Sequence, residues 1–258
     1  MDGQNIAVGW PLAGVLILLT AVGAVVVWLG RIEGWRPVVS AALRATVQLA
    51  AVSLLIVAVL RSGWLTAGFV LLMFGIAAFT SAGRISAGRD GDTTRGERLR
   101  NRLATMSGPA AAIAAGVGPV LAILLGTGIV PAKPVAIIPI AGIQIGGAMM
   151  AASLAGRRAL DELHNRRGEV EAALALGLLP RDAALLITRP TASQALVPVL
   201  DQTRTVGLVT LPGAFVGVLL GGGDPVQAGI TQLLVLISLL AIEAVAVLVT
   251  VEATARRA

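Results

Sequence analysis

Seven apolar runs alternate along this chain with short polar segments, and each run is long enough to cross a bilayer at about 20 residues. They fall at roughly 11–29, 38–60, 64–82, 106–126, 134–155, 205–222 and 227–250. The pattern predicts an all-α, polytopic membrane protein with about seven transmembrane helices. Pro190, Pro198 and Asp201 interrupt an apolar stretch over 190–204, which reads as a short re-entrant or interfacial helix. No linker and no internal repeat is visible. The chain therefore reads as one transmembrane domain over 1–258, with a cytoplasmic segment at about 156–204.

Charge gives the orientation, because cytoplasmic segments carry the arginine excess. Segment 30–37 has Arg31 and Arg36. Segment 83–105, read as a solvated loop, has Arg84, Arg89, Arg95, Arg98, Arg100 and Arg102. Segment 156–204 has Arg157, Arg158, Arg166, Arg167, Arg181 and Arg189, and the tail has Arg256 and Arg257. The opposite side holds only Arg61 and Lys133. This alternation predicts an N-terminus outside and a C-terminus in the cytoplasm. No Lys or Arg precedes the first run, so it is expected to be a retained anchor and not a cleaved signal.

Composition narrows the function classes. Hydrophobic residues make up 56% and charged residues 13%, with a mean hydropathy of +0.88; soluble domains are roughly a quarter charged. The absence of Cys removes disulfides and thiolate metal sites. The lone His164 removes any multi-His cluster within one chain. The net charge of +6 comes from arginines beside the spans and gives no reason to expect nucleic acid. No nucleophile–base pair, phosphate loop or metal-ligand cluster is legible, so an enzyme is not expected. Met149 and Met150 could offer thioethers to a soft metal, although packing explains them more simply. The only lysine precedes Pro134, and no G-x-x-x-x-G-K-[ST] exists. The chain is not expected to bind ATP, or any other cofactor, itself.

Two constellations carry chemistry. The first is Glu171-Ala172-Ala173-x3-Gly177-x9-Ile187-x-Arg189-Pro190. Glu169 to Leu176 is rich in helix formers, Gly177 suits the left-handed end of a helix, and Pro180, followed by Arg181, suits the first turn of another. The expected product is a helix–turn–helix whose apolar residues Leu174, Leu176, Leu178 and Leu179 need a partner surface. The second runs from Asp201 to Gly213, where Pro212-Gly213 should break the sixth span; a break is tolerated where protein or a water-filled cavity satisfies the freed backbone groups. Gly213, Gly217 and Gly221 form a smooth face for close helix contact or self-association, as do Gly142 and Gly146.

Four ionisable residues fall within spans: Arg44, Asp201, Arg204 and Glu243. Each costs roughly 2.5–3.5 kcal/mol or more at a helix centre, which makes it a functional candidate. Arg44 and Glu243 lie at similar depths from the cytoplasmic side. They are expected to pair, or to share a network with Asp201, either as a structural ion pair or as a gate. Gln48, Gln144 and Gln232 could face a pathway or form interhelical hydrogen bonds.

The first constellation resembles the cytoplasmic loop by which ABC-transporter permeases dock onto their ATPase. Together with Arg44-Ala45-Thr46-Val47-Gln48-Leu49, the run Val206 to Gly213, Asp224-Pro225 and Gln232, the chain resembles the small bacterial ABC permeases assigned to iron export. The plant relatives of these permeases are implicated in aluminium tolerance. The resemblance implies a permease of about seven spans in the bacterial inner membrane, exporting metal ions such as iron. It also implies a separate cytoplasmic ATPase subunit that binds the ATP. One chain has few helices with which to enclose a substrate, so a homodimer is expected. Three departures stand out. Arg189 replaces the usual Leu. The fifth span reads Gly146-Gly147-Ala148-Met149-Met150 where the family has Gly-Asn-x-Met-Asn, and Ala214 to Val218 lacks the family's Gln. These losses predict a drier pathway. An ion-gradient-driven secondary transporter or channel, using Asp201 and Glu243 as a relay, is the competing class.

Overall fold

Proline and glycine punctuate a chain that is otherwise almost entirely helical. The structure, a computed structural model, describes residues 9–32, 34–87 and 94–257. It divides into two units, Met1–Ser62 and Gly63–Ala258.

The first unit is a helical pair, α1 (Trp10–Leu29) and α2 (Trp35–Val59). Both are apolar enough to span a membrane, and Val38 of α2 reaches the space beside Gly23 of α1. Most of their side chains are exposed, as expected of helices whose solvent is lipid.

The second unit holds α3 (Gly63–Ser86), α4 (Arg95–Thr105), α5 (Ser107–Gly126), α6 (Pro134–Asn165), α7 (Arg167–Ala175), α8 (Pro180–Ala192), α9 (Val197–Thr205), α10 (Gly213–Leu220) and α11 (Pro225–Ala255). A 3-10 turn, Ser193–Leu196, joins α8 to α9. Pro134, Pro180 and Pro225 each begin a helix where a missing N–H is harmless. Asp224 caps α11, its carboxylate accepting from the N–H groups of Val226 and Gln227.

Helix α11 is the axis of this unit. Its buried residues Ala228, Gln232, Val235, Leu239, Ile242, Ala246 and Thr250 follow a three- and four-residue spacing. Small residues let neighbours approach closely. A Cβ on Gly116 of α5 would sit 2.7 Å from the Ile242 carbonyl oxygen, so α5 and α11 touch backbone to backbone. The core between α3, α5, α6 and α11 includes Ala78, Ile113, Ala141, Ala148, Ile242 and Ala246. Ser153 of α6 donates a 3.0 Å hydrogen bond to Ser81 of α3.

Among the described residues, seven helical segments are long and apolar enough to cross a membrane. Six match the expected spans closely, but the sixth differs. The expected helix over 205–222 does not form; α8, the 3-10 turn and α9 instead make one helical segment, Pro180–Thr205, about 39 Å long at 1.5 Å per residue. The chain then leaves helical geometry, and α10 follows with eight residues. Stretch 190–204 is thus the body of this segment and not a separate re-entrant piece. Its polar residues lower its hydropathy to 1.2, the least apolar of the seven.

The expected loop over 83–105 is largely helical too. Helix α3 continues to Ser86, and Thr94 opens α4 with a capping box in which its side chain and that of Glu97 bond reciprocally to backbone N–H groups. Arg89 lies outside the described residues.

Candidate functional site

The first constellation folds as its residues dictate. Helix α7 ends at Ala175, and Gly177 takes a φ of +90°, the left-handed conformation that glycine adopts without penalty. The Leu178 N–H bonds back to the Ala173 carbonyl, closing the helix end, and Pro180 begins α8. Glu171 and Arg167 form an exposed ion pair on α7. Arg166 beside Glu169 holds that carboxyl below its ordinary range through their hydrogen bond. Ala173 is buried, while Leu174, Leu176, Leu178 and Leu179 are exposed, Leu176 at 82%. Ala172 is exposed on α7, the helix that also carries Leu174. The result is a projecting knob with an apolar face.

Behind the knob the contacts turn rigid. Ala184 and Leu185 of α8 and Ala195 of the 3-10 turn bury against Ala151 and Ala155 of α6 and Val247 and Val251 of α11. Arg181, expected to contact a partner, is held within the chain: its guanidinium donates to both oxygens of Glu252 on α11. Glu252 was not among the candidates from sequence. Its signal was faint, a carboxylate one turn before Arg256, with which it also pairs.

The second constellation is a non-helical stretch that follows the sixth apolar segment, Pro180–Thr205. Residues Val206 to Pro212 are not helical; Gly207 has a φ of +81°, and its N–H donates to the Thr210 carbonyl. Val199 before the break packs on Val235 and Leu239, and Ala214 after it packs against the same cluster. The chain therefore climbs along α11 on both sides of the gap. Gln232, expected on a pathway or between helices, takes the second role. Its Oε1 accepts 3.2 Å from the Phe215 N–H, an orphan donor in the first turn of α10. Pro212 ends the non-helical stretch as the N-cap of α10, and Gly213 is the first residue of that helix.

Asp201 and Arg204 pair with each other at 3.8 Å on an exposed face, 62% and 72% accessible. Asp201 does not line the cavity that Glu243 lines. The expected relay of Asp201 with Glu243 therefore finds no shared site there. Arg44 and Gln48 lie on α2 of the first unit and Glu243 on α11 of the second.

Glu243 is 8% exposed and makes no hydrogen bond or ion pair within the second unit. Its Oε1 lies 2.7 Å from where a Cβ on Gly147 would stand. It borders a cavity of about 430 Å³ between α6, α9 and α11, which Arg84, Met150, Arg157 and Gln202 also line. Gln144 of α6 is fully buried, and neither its Oε1 nor its Nε2 has a partner among the described residues. Among those residues no three His, Asp or Glu side chains gather as a metal cluster.

The described helices and the chemistry at their ends agree with one family, whose model matches residues 10–258 under the description "Uncharacterised protein family (UPF0014)". The chain belongs to the UPF0014 family. It is 37% identical over 143 residues to UPF0014 membrane protein STAR2 of Oryza sativa subsp. japonica, covering 55% of this chain and 50% of the relative. It is 34% identical over 146 residues to the probable iron export permease protein FetB of Escherichia coli, covering 57% and 56%. It is 35% identical over 143 residues to Protein ALUMINUM SENSITIVE 3 of Arabidopsis thaliana, covering 55% and 52%. The chain spans about half the length of the curated relatives it matches. No solved structure matches it. This UPF0014 chain is a multi-pass membrane protein with seven apolar helical segments.

Proposed function

We propose that this chain is the membrane-spanning permease subunit of an ABC transporter, working as a homodimer on a separate cytoplasmic ATPase in the bacterial inner membrane. Its cargo is a metal ion such as iron, a reading supported by the similarity to the probable iron export permease protein FetB. The single observation that carries the proposal is the leucine face of the α7–α8 turn. An apolar surface at the tip of a basic, projecting helix pair is stable when another protein covers it. The rigid packing of α8 on α6 and α11 lets a push on that tip move the spans. The sequence holds no phosphate loop, so nucleotide hydrolysis belongs to the partner. With the arginine-rich segments inside, the N-terminus is outside and the C-terminus cytoplasmic.

Copurification tests the proposal. An ATPase from the neighbouring reading frame should copurify with the wild-type chain and be lost with Leu176→Glu or Leu179→Glu, both at exposed sites that leave the fold intact. Retention of the ATPase by both variants contradicts docking at this face. Transport in proteoliposomes driven by an ion gradient without any ATPase would replace this reading with a secondary transporter.

A further inference from the structure

Within the second unit, the carboxylate of Glu243 has no protein partner. A charged group in a span is stable when paired or facing a water-filled cavity, and Glu243 borders a cavity. We infer that this cavity is a cation subsite in which Glu243 is the counter-charge, and that its occupant keeps a shell of water or organic matter. The inference rests on the reading of the chain as a permease and names the chemistry of the cargo.

Size and lining argue for the shell. About 430 Å³ lies within the usual range of small-molecule pockets, about 300–1,000 Å³, and far exceeds a bare ion. Glu243 is the one carboxylate in the wall, and no imidazole joins it. Gln202 adds an amide, Met150 a thioether, and Ser153 a hydroxyl already committed to Ser81 and the Met149 carbonyl. Such a wall neutralises one charge but offers too few oxygens to strip a hard cation of its water. A hydrated metal ion, a metal chelate and an organic ammonium share the required chemistry.

The position of the carboxylate is built in. Gly147 leaves the space that Glu243 Oε1 occupies, and Leu239 Cδ2 fills the other side at 2.6 Å from the same absent Cβ. Two arginines, Arg84 and Arg157, also line the wall. Arg157 is ten residues from Gly147 on the same helix, about 15 Å at 1.5 Å per residue. Both arginines are exposed to solvent, whereas Glu243 is buried.

Equilibrium binding to the purified full-length chain in lipid nanodiscs tests the inference, with Fe²⁺ under anaerobic conditions, tetraethylammonium and phosphate as separate probes. At least one cation should bind, and Glu243→Gln should weaken it tenfold or more. Gly147→Ala, which displaces the carboxylate and keeps its charge, should weaken it about threefold. Arg157→Ala should change it less than twofold. Fe²⁺ binding alone assigns a metal cargo, and tetraethylammonium binding alone an organic one. The inference is overturned if neither cation binds, if Glu243→Gln binds as well as wild type, or if phosphate binds and requires Arg157. No ATPase takes part in this assay. Loss of cation binding in Glu243→Gln without ATPase copurification would keep the subsite and remove the ABC reading; the reverse pair of results would do the opposite.

Discussion

Arg181 and Glu252 are 71 residues apart in sequence and meet in a bidentate pair, Nε to Oε1 at 2.6 Å and Nη2 to Oε2 at 2.9 Å. The pair ties the first turn of α8 to the last turn of α11, joining the docking turn to the helix at the centre of the second unit. Two-pronged guanidinium–carboxylate contacts fix orientation as well as distance. Arg181 is 44% exposed and Glu252 23%, so solvent screens the pair and it adds little to stability. Its expected effect is mechanical. Glu252→Gln should leave the melting temperature within a few degrees of wild type while lowering permease-dependent ATPase stimulation severalfold. The exchange Arg181→Glu with Glu252→Arg should restore part of it. Stimulation assays on reconstituted complexes of all three check this.

Gly177 should not tolerate a side chain. A Cβ there would meet open space, so the penalty is purely one of backbone conformation. Left-handed geometry costs an L-residue roughly 1–2 kcal/mol. Gly177→Ala should therefore weaken ATPase copurification about tenfold or lower the stability of the turn by that amount. Gly177→Asn, which tolerates the conformation better, should lie between it and wild type. Parallel pull-downs and proteolysis of the turn provide the readout.

Gln232 should matter where the non-helical stretch ends at α10. Without its amide, the Phe215 N–H at the start of α10 loses its partner, which costs about 1–3 kcal/mol for a buried group. Gln232→Leu should lower thermal stability in detergent by several degrees, whereas Gln232→Glu, which keeps the accepting oxygen, should be milder. Equal stability of the two variants would show that the bond contributes nothing.

Helix α4 should fray in acid. The hydrogen bond from the Thr94 N–H, with a lesser one from the Thr94 hydroxyl, holds the Glu97 carboxyl below its ordinary value of 4.5. A depressed folded pKa means that the capping contribution is complete above 4.5 and is lost as pH falls through the folded value. Amide exchange of residues 95–98 should accelerate in that window in wild type. Thr94→Ala should exchange fast at every pH.

The sequence and the structure agree where periodicity and punctuation act together. Gly177 and Pro180 bounded α7 and α8 correctly because the left-handed turn and the helix start depend on local chemistry alone. The sixth crossing escaped because hydropathy weighs Asp201 and Arg204 as if they were buried, whereas they pair with each other on an exposed face. Pro190 added to the error; it lies inside α8, near its C-terminal end, without stopping the helical segment. Segment 83–105 looked like a loop because its arginines hid the capping signal Thr94-x-x-Glu97. The two asparagines missing from the fifth span suggested a drier pathway. No single-chain pattern reveals that the Glu243 carboxylate, on another helix, fills the space beside Gly147. Its lack of a partner and the cavity next to it are tertiary facts.

The central claim is that the α7–α8 turn lies in the cytoplasm against an ATPase. The chain contains no cysteine, so one thiol introduced at Leu178 is unique. In intact cells, a membrane-impermeant maleimide should fail to label Leu178→Cys, whereas a short cross-linker added after permeabilisation should join it to the ATPase subunit. Labelling from outside, or no cross-link to the ATPase in a complex that still copurifies, would contradict the account.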